Sequence, residues 1–378
     1  MQRCSVPQTP GMPRSTCTYP QHHRPPGFAY NRHCQSPSAI VQVTLLIPDL
    51  LPPPGAESIA GGQAPLLRRL LARGNTTRFA PIATEHWLCR AFEVEARGDW
   101  PAAPLTALLD GLPAESGHWL RADPIHLQLH RDRMAVLAAP ALQLSQDEAD
   151  ALCSTLNAHF RDDALRIEAP RPSRWYLSSP EGPGQTPPPS SVAGRALPRA
   201  ALPAPWHRRL TEIQMLLHEH PVNRAREARG KPAVNSLLLW GHGHRPAVPG
   251  RHYGQVWSGD ALAIALAVQS GAECADIPAS AAAWLENSAQ HAAQGHHLVH
   301  IEDAHLAARY GGPEAWLAAL ERLERDWLAP LWSRLGRGIN AIDLVLPGDA
   351  ECLRVRATPA HRLRFWRRDT WPASASPQ

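Results

Sequence analysis

Three observations along the 378 residues predict an α/β fold with a small inserted α+β module. A β-branched run at 40–47 is followed by a leucine-rich helix, which opens a strand–helix unit. The pattern breaks into short alternating runs between 119 and 177, and helices and strands alternate again from 206 onward. The length suits two packed domains with sizeable cores; a single domain would be unusually large.

The run at 40–47 turns polar at Asp49 and meets Pro52, Pro53 and Pro54, which reads as a buried strand ending in a loop. Leu66, Leu67, Leu70 and Leu71 recur at helical spacing, and Gly74 suits the position just past a helix end. In the inserted part, 125–129 and 134–137 read as strands. Ser145 with Glu148 three residues later forms a capping box, and Ala151, Leu152, Thr155, Leu156 and His159 continue that helix. Residues 178–205 are rich in Pro, Gly and Ser and read as a linker or mobile loop. Beyond it, helices are expected at 206–219, 259–270, 279–293 and 313–335, with strands at 236–240, 297–301, 341–346 and 352–355. The 313–335 helix carries Trp316, Leu320, Leu323, Trp327 and Leu331 on one side, so its tryptophans are expected in the core. The predicted organisation is a disordered tail at 1–38, core parts at 39–115 and 206–370, the module at 116–177, the linker at 178–205 and a tail at 371–378.

Composition narrows the function classes. The net charge of +4 arises in residues 1–38, which hold Arg3, Arg14, Arg24 and Arg32 and no acid; the rest balances 34 basic against 34 acidic residues. A neutral body without a basic stripe argues against a nucleic-acid backbone binder. No stretch approaches the roughly 20 apolar residues of a membrane helix, so a soluble, cytoplasmic protein is expected. The tail lacks the apolar centre of a secretory signal, and its prolines would break a transit-peptide helix. Seven cysteines without a Cys-x-x-Cys pair argue against a zinc framework or a disulfide scaffold.

The most specific stretch runs Leu217-His218-Glu219-His220-Pro221-Val222-Asn223-Arg224-Ala225-Arg226, then Gly230-Lys231-Pro232, then Asn235 through Trp240-Gly241. It resembles the His-Pro-Val-Asn, Arg, Gly-Lys, Asn and Trp-Gly succession of archaeal-type cofactor-independent phosphoglycerate mutases, within the alkaline phosphatase superfamily. Residues 121–129, 145–149 and 156–157 resemble that family's inserted module. Trp87 to Phe92 and Trp175 to Leu177 are similar to stretches of a bacterial subgroup, the RpfE-type regulatory proteins. The resemblance implies an alkaline-phosphatase-like mixed sheet core flanked by helices.

It also implies a chemistry, in which a hydroxyl nucleophile relays a phosphoryl group between two divalent metals, manganese or zinc. Matched to that pattern, Asp49, Asp303, Asp349 and His361 are the candidate metal ligands, and Thr84 falls at the nucleophile position. Leu50 replaces the glycine after the first aspartate, Ala350 the expected histidine, and the acidic cluster after Asp303 is mostly gone. His300 and His305 remain as alternatives for an altered metal site, while His242, His244, His296 and His297 match no zinc-hydrolase spacing. Arg121, His220, Asn223, Arg226 and Lys231 match positions that the resemblance assigns to substrate phosphate and carboxylate, a role guanidinium groups suit. The competing reading makes the His-Pro-Val-Asn segment a structural helix terminus.

The expected protein is phosphoglycerate-mutase-like with an eroded metal centre: regulatory or anion-binding, with little or no catalysis. Its expected ligand is a small anion such as a phosphorylated three-carbon acid, with no nucleic-acid or membrane partner. The alternative is an active metal-dependent mutase or phosphatase using Thr84. Manganese or zinc is expected if the centre is functional, and no cofactor otherwise.

Overall fold

The computed structural model describes residues 41–52, 62–130, 133–195, 202–249, 252–290 and 295–367; the predicted tails at 1–38 and 371–378 lie outside them. The described strands are β1 (Val41–Leu46), β2 (Asn75–Phe79), β3 (Trp119–His130), β4 (Arg133–Leu137), β5 (Arg166–Arg171), β6 (Arg174–Ser178), β7 (Ser236–Gly243), β8 (Gln255–Trp257), β9 (Glu273–Ala275), β10 (Gly295–His300), β11 (Ile339–Pro347) and β12 (Cys352–Ala357). Seven form a mixed sheet in the order β2-β12-β11-β1-β10-β8-β9, and helices flank it.

In that sheet β1 runs parallel to both β10 and β11, while β12 runs antiparallel to β11 and to β2. The central strand is buried on both faces, with only Gln42 partly exposed, which fits the β-branched and leucine residues that dominate 40–47. Val43 and Leu45 pack with Val299, Trp316 and Leu320 on one face, whereas Leu46 packs with Leu298, Val345 and Val256 on the other. Side chains alternate across the sheet because the strand period is two.

The second sheet is antiparallel, in the order β4-β3-β6-β5, with β7 also paired to β3. Because β7 lies beyond the segment expected as a linker, this sheet is not confined to 116–177. Ile125, Leu238 and Trp240 from the second sheet join Leu46, Leu298 and Val345 from the first in one core cluster. The helix Gln146–His159 covers the second sheet and begins at the predicted capping box, with Ser145 and Glu148 bonding reciprocally.

The helix expected over 313–335 is divided into Gly312–Leu323, a π turn at Glu324–Leu328 and Ala329–Arg334. Pro330 has no N–H to donate one turn back, and its ring crowds the preceding turn, so a regular helix cannot pass through it. The turn has a use. Glu324 accepts from the backbone N–H of Leu66 at 3.0 Å and of Leu67 at 2.6 Å, satisfying the start of the helix Pro65–Arg73. Trp316 and Trp327 lie in the core as expected.

Candidate functional site

In an open sheet of parallel strands, ligands bind beyond the carboxyl ends, where the loops splay apart. Asp49 follows β1, Asp260 follows β8, Glu302 and His305 follow β10, and Asp349 follows β11, so the topology brings them to one end of the sheet. Two adjoining clefts open there. An outer one of about 220 Å³ is lined by Asp49, Thr84, Ser190, Arg195, Arg309 and Asp349. An inner one of about 320 Å³ shares Thr84, Ser190 and His305 with it and reaches Glu85, His300 and Glu302.

Asp49 is held from several sides. Its φ of 54° is the left-handed conformation that costs a non-glycine residue free energy, so its surroundings must fix it there. Its N–H donates to the Pro347 carbonyl at 2.9 Å, and the Trp316 indole donates to its carbonyl at 2.9 Å. The carboxylate accepts from Arg309 at 2.8 Å and faces His305 Nδ1 at 2.6 Å. His305 and Arg309 are one turn apart, across the helix Asp303–Leu306 and the π turn Ala307–Gly311, which aims both at Asp49. Arg309 also reaches Asp349 at 3.1 Å, and Arg195 pairs with the other oxygen of Asp349.

The inner cleft gathers acids. Glu85 accepts from the Ser190 N–H at 2.9 Å and from the Ser190 hydroxyl, while that hydroxyl accepts from the Thr84 N–H at 3.1 Å. Burial pushes the Glu85 carboxyl above its ordinary range. Glu302 is pushed up to about 8, by burial first and then by the charges of Asp260, Glu85 and Asp303. Burial lowers His300 to about 4, so its imidazole is neutral at pH 7, and its Nε2 has no hydrogen-bond partner among the described residues.

The predicted metal set does not assemble. Asp49 and Asp349 share the outer cleft with Thr84, but Asp303 is exposed and lines a separate groove with Arg322 and Asp326. His361 caps the turn Pro359–Leu363, its Nδ1 accepting from the Thr358 N–H at 3.0 Å. Among the described residues no group of three or more His, Cys, Asp or Glu side chains is placed to hold a metal ion. The donor chemistry does not fit one either: between Asp49 and Asp349 sits the Arg309 guanidinium, a cation already bonded to both.

The candidate anion-binding residues also divide. Arg121 reaches the inner cleft, but its guanidinium is bonded to Asp123 at 2.7 Å and lies 5.2 Å and 5.0 Å from the ring centres of Tyr176 and Trp240. His220 is an N-cap whose Nδ1 accepts from the Val222 N–H, with Nε2 2.9 Å from the Thr155 hydroxyl. Asn223 donates to the carbonyls of Leu217 and Val234 and accepts from the Val234 N–H. Arg226, fully buried, donates to Glu148, Leu142 and Pro232. This motif is an internal clamp, which corrects its assignment to ligand binding; Lys231 is half-buried just ahead of β7. Arg195, Ser190 and Arg309 were not predicted, and Glu85 and Glu302 had no assigned role. The i, i+4 pair of His305 and Arg309 directly after a strand was a usable signal; Ser190 and Arg195, in a stretch read as linker, gave none.

No family model matches the chain. Over 147 residues it is 32% identical to a 2,3-bisphosphoglycerate-independent phosphoglycerate mutase of Methanothrix thermoacetophila, a match spanning 35% of this chain and 38% of that protein. The matched part is thus well under half of the relative's length. Among solved structures, the PH0037 protein from Pyrococcus horikoshii shares the fold with a TM-score of 0.53 and 16% identity, over 84% of this chain and 87% of that one. The cofactor-independent phosphoglycerate mutase from Thermoplasma acidophilum superposes with a TM-score of 0.43 and 19% identity, over 84% and 90%, too loosely to bear on the site.

Proposed function

We propose that the protein is a phosphoglycerate-mutase-like, cytoplasmic anion-binding protein whose cleft takes a small phosphorylated acid and carries out no metal-dependent phosphoryl transfer. Its role is regulatory, of the kind the similarity to RpfE-type proteins implies. The observation that carries this reading is Arg309: its guanidinium bonds Asp49 at 2.8 Å and Asp349 at 3.1 Å, where the resemblance would put a divalent cation. A fixed organic cation balances the carboxylates but cannot exchange ligands or lower the pKa of a bound hydroxyl as a metal does. The guanidinium pair at the cleft suits an oxyanion ligand. No helix of the described residues is long and apolar enough to cross a membrane, which is compatible with this placement.

The test is an assay of 2- and 3-phosphoglycerate interconversion by the full chain supplied with manganese or zinc. No turnover above background is expected. Interconversion at ordinary enzymatic rates overturns the reading.

A further inference from the structure

Asp49 and Asp349 hold the same guanidinium but are built differently. The Asp49 side chain is 12% exposed and fixed by Arg309 and His305, with its backbone tied to Pro347 and Trp316. Asp349 is 56% exposed, on the turn between β11 and β12, and its side chain has no partners among the described residues except Arg309 and Arg195. Asp49 therefore anchors Arg309, while Asp349 only covers the outward donors.

Arg195 has no ion-pair partner except Asp349 among the described residues. Burial first and then the positive charge of Arg309 work against its own charge, while Asp49 favours it, so the two guanidinium groups stand side by side only because carboxylates face them. Its backbone is fixed, because the Arg195 carbonyl accepts from the Val136 N–H at 3.0 Å and the Gly194 N–H donates to the Val136 carbonyl at 3.1 Å. At Gly194 a Cβ would stand 2.3 Å from the Arg309 carbonyl oxygen, so the chain carrying Arg195 lies directly against the π turn carrying Arg309. Thr84, Ser190 and Ser191 line the same outer cleft.

We propose that Asp349 is a tethered anion occupying an oxyanion subsite made by Arg195 and Arg309, and that a phosphate monoester enters the outer cleft by displacing it. A phosphate dianion offers more charge and more acceptor oxygens to two guanidinium groups than one carboxylate does. Displacement requires only that an exposed side chain rotate into water. The arrangement sets a threshold: weak anions fail to dislodge Asp349, so the subsite stays closed to chloride and simple carboxylates. The inference rests on the anion-pocket reading above and names its subsite and its built-in competitor.

The test is calorimetric titration of the full chain with inorganic phosphate, comparing wild type, Asp349→Asn and the double variant Asp349→Asn/Arg195→Gln. Removing two partly exposed ion pairs from the competition should tighten phosphate binding roughly tenfold in Asp349→Asn. The double variant should lose that gain. Affinity unchanged or weaker in Asp349→Asn, or a gain that survives in the double variant, overturns the proposal. Should Asp349→Asn fail to fold, Asp349→Ser makes the same comparison. Titration with 3-phosphoglycerate separates the two claims. A phosphate gain with no 3-phosphoglycerate binding keeps the tethered anion and sinks the phosphoglycerate part of the reading; 3-phosphoglycerate binding without the gain does the reverse.

Discussion

Replacing Asn223 by alanine should destabilise the protein by about 3 kcal/mol without touching its cleft. Asn223 is 2% exposed, and its side chain donates to Leu217 and Val234 at 2.7 Å each and accepts from the Val234 N–H at 2.8 Å. The Leu217 carbonyl keeps a second donor, the His220 N–H at 3.2 Å, so its loss is partial. The Val234 N–H and C=O both lose their Asn223 partner, and each buried polar group left unpaired costs about 1–3 kcal/mol. An ordinary surface helix substitution stays within about 0.5 kcal/mol, so the effect should stand clear of background. Urea denaturation followed by circular dichroism measures it, with phosphate titration of the folded protein alongside. A stability loss under about 1 kcal/mol, or a lost anion affinity in the folded protein, would refute the clamp and return this motif to ligand binding.

Glu302→Gln should separate from wild type progressively as pH rises from about 4.5 to about 8. The folded carboxyl titrates at about 8 against an ordinary 4.5, so the stability it contributes is present below about 4.5 and is lost as pH rises through 8. The neutral amide carries no such loss, so the variant should melt close to wild type at pH 4.5 and above it at pH 8.5; identical melting at both would show that Glu302 is not buried among acids. Gly194→Ala should lower stability by about 2 kcal/mol, because alanine pays for the left-handed φ of 63° and its Cβ meets the Arg309 carbonyl. Unchanged thermal unfolding would separate the Arg195 segment from the π turn.

The sheet core was legible at 40–47, where apolar β-branched and leucine residues outweigh Gln42 and Thr44, because a central strand with parallel neighbours is buried on both faces. The capping box at Ser145 was legible for a different reason, being a contact between residues three apart. Pro330 was in plain view, yet tryptophan and leucine spacing on either side hid the π turn it imposes. The site was harder because it is made of long-range pairs: Asp49 with Arg309, Glu85 with Ser190, Arg195 with Asp349. Of the residues named by pattern matching, Asp49, Thr84 and Asp349 come together in one cleft, Thr84 from the start of the helix Thr84–Ala91. It misplaced His361 and Asp303, because a residue type at the expected distance along the chain says nothing about which groove it faces. It also read Asn223 and Arg226 as ligand-facing, although a buried clamp can carry the same residues as a binding motif.

The central claim is that a guanidinium stands between Asp49 and Asp349 in place of a divalent ion. Elemental analysis of the full chain, dialysed against manganese or zinc and then freed of unbound ion, tests it most directly. The predicted result is a metal content well below one ion per chain, unchanged by phosphate. About two tightly held ions per chain, the complement of a two-metal phosphoryl-transfer centre, would contradict it.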